Sequence, residues 1–78
     1  MALLDDTCGV DIRIGGQPYA WRRWRLIPCK GDILQLYHSE RREEHLCDVL
    51  EVVWKKSRDS TNDSHQEVIL YCKWRDWA

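Results

Sequence analysis

The clearest pattern in this chain is an alternation of apolar and polar residues with a period of two, which is typical of β-strands. It is strongest over residues 32–38, 46–55 and 67–74, and weaker over residues 10–14 and 19–27. Residues 19–27 can also be read as a helix that begins at Pro18, but their β-rich surroundings favour a strand. The pattern predicts a mostly-β fold, either a small antiparallel barrel or a twisted sheet of four to five strands, and allows one short helix.

Each of the three strongest strands carries apolar residues on both of its faces. An antiparallel sheet usually covers the core with one face and turns the other towards water. The face that we assign to the core holds Leu34, Leu36, Leu50, Val52, Trp54, Val68, Leu70, Cys72 and Trp74. The second face holds Ile33, Tyr37, Val49, Val53, Ile69 and Tyr71.

The second apolar face needs a cover, and a chain of 78 residues has little of itself left to supply one. Either the N-terminal segment and the Trp77 tail cover it, or a partner does. A partner is favoured, since large exposed apolar patches usually mark interaction sites and symmetric dimers are the commonest way to cover them. We therefore predict a non-enzymatic interaction module that forms a homo-oligomer, with a dimer favoured, or binds another protein through this face.

Turn-forming residues separate the strands. Residues 15–18 (GGQP) and 28–32 (PCKGD) predict turns, and the polar residues 39–45 predict the tip of a hairpin. Residues 57–66 contain no large apolar side chain and predict a surface loop. No repeat or linker divides the sequence, so residues 1–78 are expected to form one domain.

The charge balance excludes a general attraction to polyanions. Twelve basic and thirteen acidic residues leave a net charge of −1, so no global field favours nucleic acid or an anionic membrane. The N-terminus lacks a signal-peptide pattern, and no apolar run approaches the roughly 20 residues that span a bilayer. We expect a cytoplasmic protein without a membrane partner.

Cysteines and histidines give no convincing reactive site. No C-x-x-C pair occurs among the four cysteines, which are Cys8, Cys29, Cys47 and Cys72. We therefore expect reduced and mostly buried thiols, with Cys29 exposed in a turn.

His45, Cys47 and Asp48, with His38 across the hairpin, are too few and too scattered to predict a metal site. Nothing places His38 or His65 beside Cys29 as a base, so we predict no catalytic residue, no metal and no cofactor.

Two other binding functions remain as alternatives. Tyr19, Trp21, Arg23 and Arg25 interleave aromatic and basic side chains, a pattern that can stack on the bases of single-stranded nucleic acid and hold its phosphates. The opposing interpretation is that Trp24 belongs to the core and that the arginines form ion pairs or cover tryptophan rings. The five tryptophans also suggest a groove that binds a small aromatic or cationic ligand.

The order of motifs resembles that of small PUA-like and Src-homology-like β-barrels. A Gly-Asp turn enters a strand in residues 30–37 (KGDILQLY), residues 48–54 (DVLEVVW) carry a V-x-x-V-x-W style run, and residues 67–74 (EVILYCKW) close after a polar loop. The resemblance covers about half of the chain and implies binding of RNA, modified bases or peptides, without assigning residues. As a small domain rich in Trp and Cys, the chain is also similar in style to proteins encoded by mobile elements, such as integron gene cassettes and phages.

Overall fold

Five strands build one sheet. The computed structural model describes residues 2–55 and 67–76, with side chains from residue 7 onward. The strands are β1 (Ala2–Ile14), β2 (Gln17–Ile27), β3 (Ile33–His38), β4 (Glu43–Lys55) and β5 (Glu67–Trp74). The predicted β class is confirmed, and residues 19–27 are a strand rather than a helix. The predicted loop 57–66 and Trp77 lie outside the described residues.

The sheet is mixed, with the strand order β2-β1-β5-β4-β3. Three of the four ladders are antiparallel, but β1 and β5 pair in parallel, from Gly9 opposite Glu67 to Ile14 opposite Cys72. The expected antiparallel pairing holds for three ladders, and the parallel β1–β5 ladder at the centre is the exception. Alternation along a strand reports which residues share a face, and it carries no information on the direction of the neighbouring strand.

The sheet curls into an open half-barrel, and one face of every strand contributes to its core. We call this side the inner face. β1 is the most regular contributor, because Cys8, Val10, Ile12 and Ile14 are all buried and alternate with Asp11 and Arg13. The other buried residues of the core are Ile27, Cys47, Val49, Val68, Leu70 and Cys72, with Trp24, Leu34, Leu36, Val52 and Trp74 packed against them.

Tight turns set the register of the two hairpins. Gly15 and Gly16 both have positive φ (61° and 78°), as a two-residue turn of type I′ requires, so the predicted glycine turn is confirmed. The hairpin between β3 and β4 is also confirmed, but its tip is shorter than predicted. β4 begins at Glu43, because Glu43, Glu44 and His45 already pair with β3.

A β-bulge in β4 corrects the predicted faces of two residues. The β4–β5 register shifts between Val49, opposite Cys72, and Glu51, opposite Tyr71, so Leu50 is the extra residue. Val49, predicted for the second face, is buried in the core, and Leu50, predicted for the core, is 45% exposed. A single inserted residue has reversed the alternation on one side of the bulge.

Candidate binding surfaces

The convex side of the sheet, which we call the outer face, is apolar but not continuously so. Ile33, Tyr37, Val53 and Tyr71 all lie there and are between 37% and 51% exposed. Ile69 shares this face, as its partners Asp11 and Val53 show, yet only 6% of its surface is exposed. Of the six residues predicted for the second face, five are on it and four of these are exposed.

Charged residues alternate with the apolar ones across the outer face. Arg13 pairs with Asp11 at 3.1 Å and Arg75 with Asp48 at 3.0 Å. In one row across three strands, Tyr71 of β5 lies between Arg13 of β1 and Glu51 of β4. The row therefore carries opposite charges at equal distances on the two sides of an exposed aromatic ring.

The four residues predicted to bind nucleic acid do not share one face. Trp21 and Arg23 lie on the outer face of β2, and the Arg23 guanidinium lies 5.9 Å from the centroid of the Trp21 ring. Arg23 also donates to the Thr7 hydroxyl at 3.2 and 3.0 Å. Trp21 packs over Gly9, where an added Cβ would approach the ring to 2.8 Å.

Tyr19 belongs to the opposite side, because the β1–β2 register shifts between Ile12 and Arg13 and turns its ring towards Trp74. Strict alternation would place Tyr19 on the same side as Trp21, and the register shift separates the two residues. Arg25 is exposed, and among the described residues no carboxylate forms an ion pair with Arg22, Arg23 or Arg25.

The two edge strands, β2 and β3, face each other across an opening that we call the seam. At one end the loop of residues 28–32 connects them, and at the other the Tyr19 hydroxyl donates to the carbonyl of Tyr37 at 2.7 Å. The loop is held to β4 by hydrogen bonds from Gly31 N–H to Val49 C=O and from Val49 N–H to Asp32 C=O, both at 2.9 Å. Each end of the seam holds a cavity.

The cavity near the loop, the Trp24 groove, has a volume of about 530 Å³. Trp24, Leu26, Pro28 and Leu34 supply apolar walls, and its charged lining residues are Arg23 and Arg25. The groove is therefore apolar with a positive rim.

The cavity at the other end, the Trp74 pocket, has a volume of about 300 Å³ and a different chemistry. Tyr19 meets Trp74 edge to face, with ring centroids 6.1 Å apart and planes at 80°. His38 lies 4.8 Å from Trp74, centroid to centroid, and Glu40 is the charged lining residue. This pocket is aromatic with a negative rim.

The candidate metal ligands are not brought together. His45 Nε2 donates to the carbonyl of Arg75 at 2.7 Å, Asp48 binds the Arg75 guanidinium, and Cys47 is buried beside Cys72. Within residues 7–55 and 67–76 no group of three His, Cys, Asp or Glu side chains could hold a metal ion. A hydrogen bond with Cys72 and burial raise the pKa of Cys47, so this thiol stays protonated.

Cys29 is exposed in a turn, as predicted, and Cys8, Cys47 and Cys72 are buried. The Cys29 N–H donates to the Asp32 carboxylate at 2.7 Å, and this hydrogen bond lowers the pKa of Asp32. His38 lies at the far end of β3, roughly 17 Å along the strand from Ile33, so it does not reach Cys29. His65 lies outside the described residues.

Comparison with known proteins identifies no relative of this chain. No protein-family model matches the chain, and neither do any curated proteins or solved structures. The described residues also contain no helix that is long and apolar enough to cross a membrane.

Sequence reasoning suggested a groove lined by tryptophan but assigned no residues to it, and so located neither cavity. Both cavities have lining residues from β2 and β3, together with residues of β1 and, at the Trp74 pocket, of β5. β2 and β3 are the most distant strands in the sheet order and approach each other only because the sheet curls. The aromatic residues themselves were visible, but alternation along single strands contains no signal for this approach.

Proposed function

We propose that this chain is a non-enzymatic interaction module that forms a homodimer through its outer face. One observation carries the proposal: seven of the ten large apolar side chains that are exposed among the described residues lie on this face. They are Trp21, Ile33, Tyr37, Leu46, Leu50, Val53 and Tyr71. Covering them removes apolar surface from water, which stabilises association by about 25 cal/mol per Å² before the entropic cost of assembly.

The size of the face suits a dimer. Five strands with about eight paired residues each span about 24 by 27 Å, or about 650 Å² in projection. A standard stable interface covers about 800 Å² on each partner. A stable dimer would therefore have to bury most of the outer face. This favours aligned packing of the two sheets over a contact at one edge.

The charges of the outer face support a second copy as the partner. A two-fold axis that runs along β5 above Tyr71 places Arg13 of each copy opposite Glu51 of the other, because the two lie on opposite sides of β5. Aligned sheet packing permits such an axis. Two copies with a net charge of −1 each also repel only weakly.

Val53→Asp is expected to weaken this dimer at least ten-fold, since it adds a desolvated charge to an apolar contact. Sedimentation velocity over a range of concentrations measures the change. Leu26→Asp is the matched control, because Leu26 is similarly exposed but lines the Trp24 groove. A wild-type chain that is monomeric at every concentration contradicts the proposal.

A charge exchange tests the orientation of the dimer. Arg13→Glu and Glu51→Arg should each weaken association by juxtaposing like charges across the two-fold axis, and the double variant should restore it. Thermal melting of each variant separates this effect from the loss of the Arg13–Asp11 and Lys30–Glu51 pairs within one chain. Failure of the double variant to recover, with its fold intact, contradicts the proposed axis.

Single-stranded nucleic acid is a second candidate partner, favoured by the three arginines of β2 that lack carboxylate partners among the described residues. Trp21, Arg23 and Arg25 would supply the contact, without Tyr19. An oligothymidylate is expected to quench tryptophan fluorescence at low salt, and the binding should weaken steeply as salt rises. Arg25→Gln should reduce the affinity several-fold. Unchanged fluorescence at low salt eliminates this candidate.

A further inference from the structure

The two cavities of the seam have opposite charge, although they lie in one small protein. The Trp24 groove is rimmed by Arg23 and Arg25, whereas the residues that line the Trp74 pocket in the described part of the chain include Glu40 and no lysine or arginine. Among the described residues, Glu40 forms no ion pair. The Arg75 guanidinium, which follows Trp74 in sequence, is held at 3.0 Å by Asp48 on the outer face. The electrostatics of the Trp74 pocket therefore favour a cation.

The aromatic rings of the pocket form a corner. The planes of Tyr19 and Trp74 are at 80° to each other, so a group that enters the corner can contact both rings. The face of an aromatic ring carries negative potential and attracts a cation within about 6 Å of its centroid. A carboxylate on the rim adds to this attraction.

Hydrogen bonds hold these rings in place before any ligand arrives. The Tyr19 hydroxyl donates to the Tyr37 carbonyl at 2.7 Å, and Trp74 packs against the core. His38 Nδ1 accepts a hydrogen bond from the Arg41 N–H at 3.2 Å, which orients the imidazole beside Trp74.

The chemistry of the pocket selects one class of cation. A hard metal ion takes six or more oxygen ligands, and one carboxylate cannot replace them. A primary ammonium group is strongly hydrated and loses that water at high cost. A quaternary ammonium group is the ion that aromatic corners bind best. A volume of about 300 Å³ lies at the small end of ligand sites and suits such a group.

We infer that the Trp74 pocket binds a trimethylammonium group beside the edge-to-face contact of Tyr19 and Trp74, with Glu40 on the rim. The group belongs either to a free small molecule of the choline type or to a trimethylated lysine of a peptide. The outer face takes no part in this site, so a failure of dimerisation would leave the inference standing.

A titration with choline tests the inference, followed by NMR through the indole N–H signals, with Trp74 assigned from the Trp74→Phe spectrum. Choline at up to about 50 mM is expected to shift the Trp74 signal in a saturable way. The neutral carbon analogue 3,3-dimethylbutan-1-ol has the same shape without the charge and should bind roughly ten-fold more weakly. Absence of a shift, or equal affinity for the two compounds, overturns the inference.

Variants distinguish the roles of the walls. Tyr19→Phe keeps the ring but loses the hydroxyl that positions it and should bind about three-fold more weakly, whereas Tyr19→Leu should lose most of the affinity. Glu40→Gln should bind about three-fold more weakly, and Glu67→Gln is the matched control that leaves binding unchanged, because Glu67 lies at the opposite end of β5, roughly 23 Å along the strand from Trp74. Unaltered binding by both Tyr19→Leu and Glu40→Gln overturns the site even if choline binds elsewhere.

Peptides separate the two sources of the group. If a peptide with trimethyl-lysine binds more tightly than choline, and the peptide with unmodified lysine does not bind, then the ligand is a modified protein chain. If choline binds at least as tightly as the peptide, the ligand is a free small molecule. Both results support the shared chemistry, and binding of the unmodified peptide with equal affinity contradicts it.

Discussion

Replacing Leu70 with alanine is expected to lower the free energy of unfolding by about 3 kcal/mol. Leu70 is fully buried on β5, the middle strand, with Ile12 beside it on β1 and Val52 on β4. Neighbouring strands fix the walls of the resulting cavity, so the structure cannot collapse to fill it. The melting temperature should fall by about 12–24 °C for a domain of this size.

A matched substitution shows whether the cost comes from the cavity. Leu50→Ala removes the same atoms from a side chain that is 45% exposed, and it should cost less than about 1 kcal/mol. Urea denaturation of both variants at one protein concentration measures the difference, since self-association would add a concentration-dependent term. Equal destabilisation of the two variants would contradict the assignment of Leu70 to the centre of the core.

Period-two alternation was sufficient to locate the strands. Residues 67–74 coincide with β5, and Val68, Leu70 and Cys72 face the core as the pattern predicts. The pattern works on β5 because both of its neighbours pair with it and hold it in extended conformation. β1 extends from Ala2, well before the predicted residue 10, since pairing continues where alternation is weak.

Errors in the predicted surfaces arise at register shifts. Val49 and Leu50 exchange faces at the β4 bulge, and Tyr19 changes sides at the shift in the β1–β2 ladder. A bulge depends on the pairing of two strands, so the sequence of one strand does not reveal it. The seam and its two cavities depend on the curl of the whole sheet, which the sequence of a single strand does not reveal.

The bulge in β4 predicts a sharp contrast between two deletions that remove one residue each. Deleting Leu50 converts the bulge into a regular ladder and leaves Val49, Glu51 and Val52 on their present faces. The expected cost is within about 1 kcal/mol. Deleting Val52, only two residues further along the chain, should cost more, about 1–3 kcal/mol, because it displaces the end of β4 or buries a charge.

Two rearrangements can follow the loss of Val52. If the bulge persists, the rest of β4 moves by one residue, so that Val53 fills the place opposite Leu70 and Trp54 moves to the outer face. Lys55 then takes the place of Trp54, which is 44% exposed, and keeps much of its solvent. If the bulge is absorbed, Trp54 keeps its position but Glu51 replaces Val52 opposite Leu70 and loses solvent without a partner.

Urea denaturation of the two deletion variants, followed by far-UV circular dichroism, measures the contrast directly. The Leu50 deletion should unfold cooperatively at a midpoint close to that of the wild type, and the Val52 deletion should unfold at a clearly lower urea concentration. Equal loss of stability would mean that Leu50 is needed for the curl of the sheet. The extra residue would then be a structural requirement of the half-barrel, since bulges increase local twist and bend the strand that carries them.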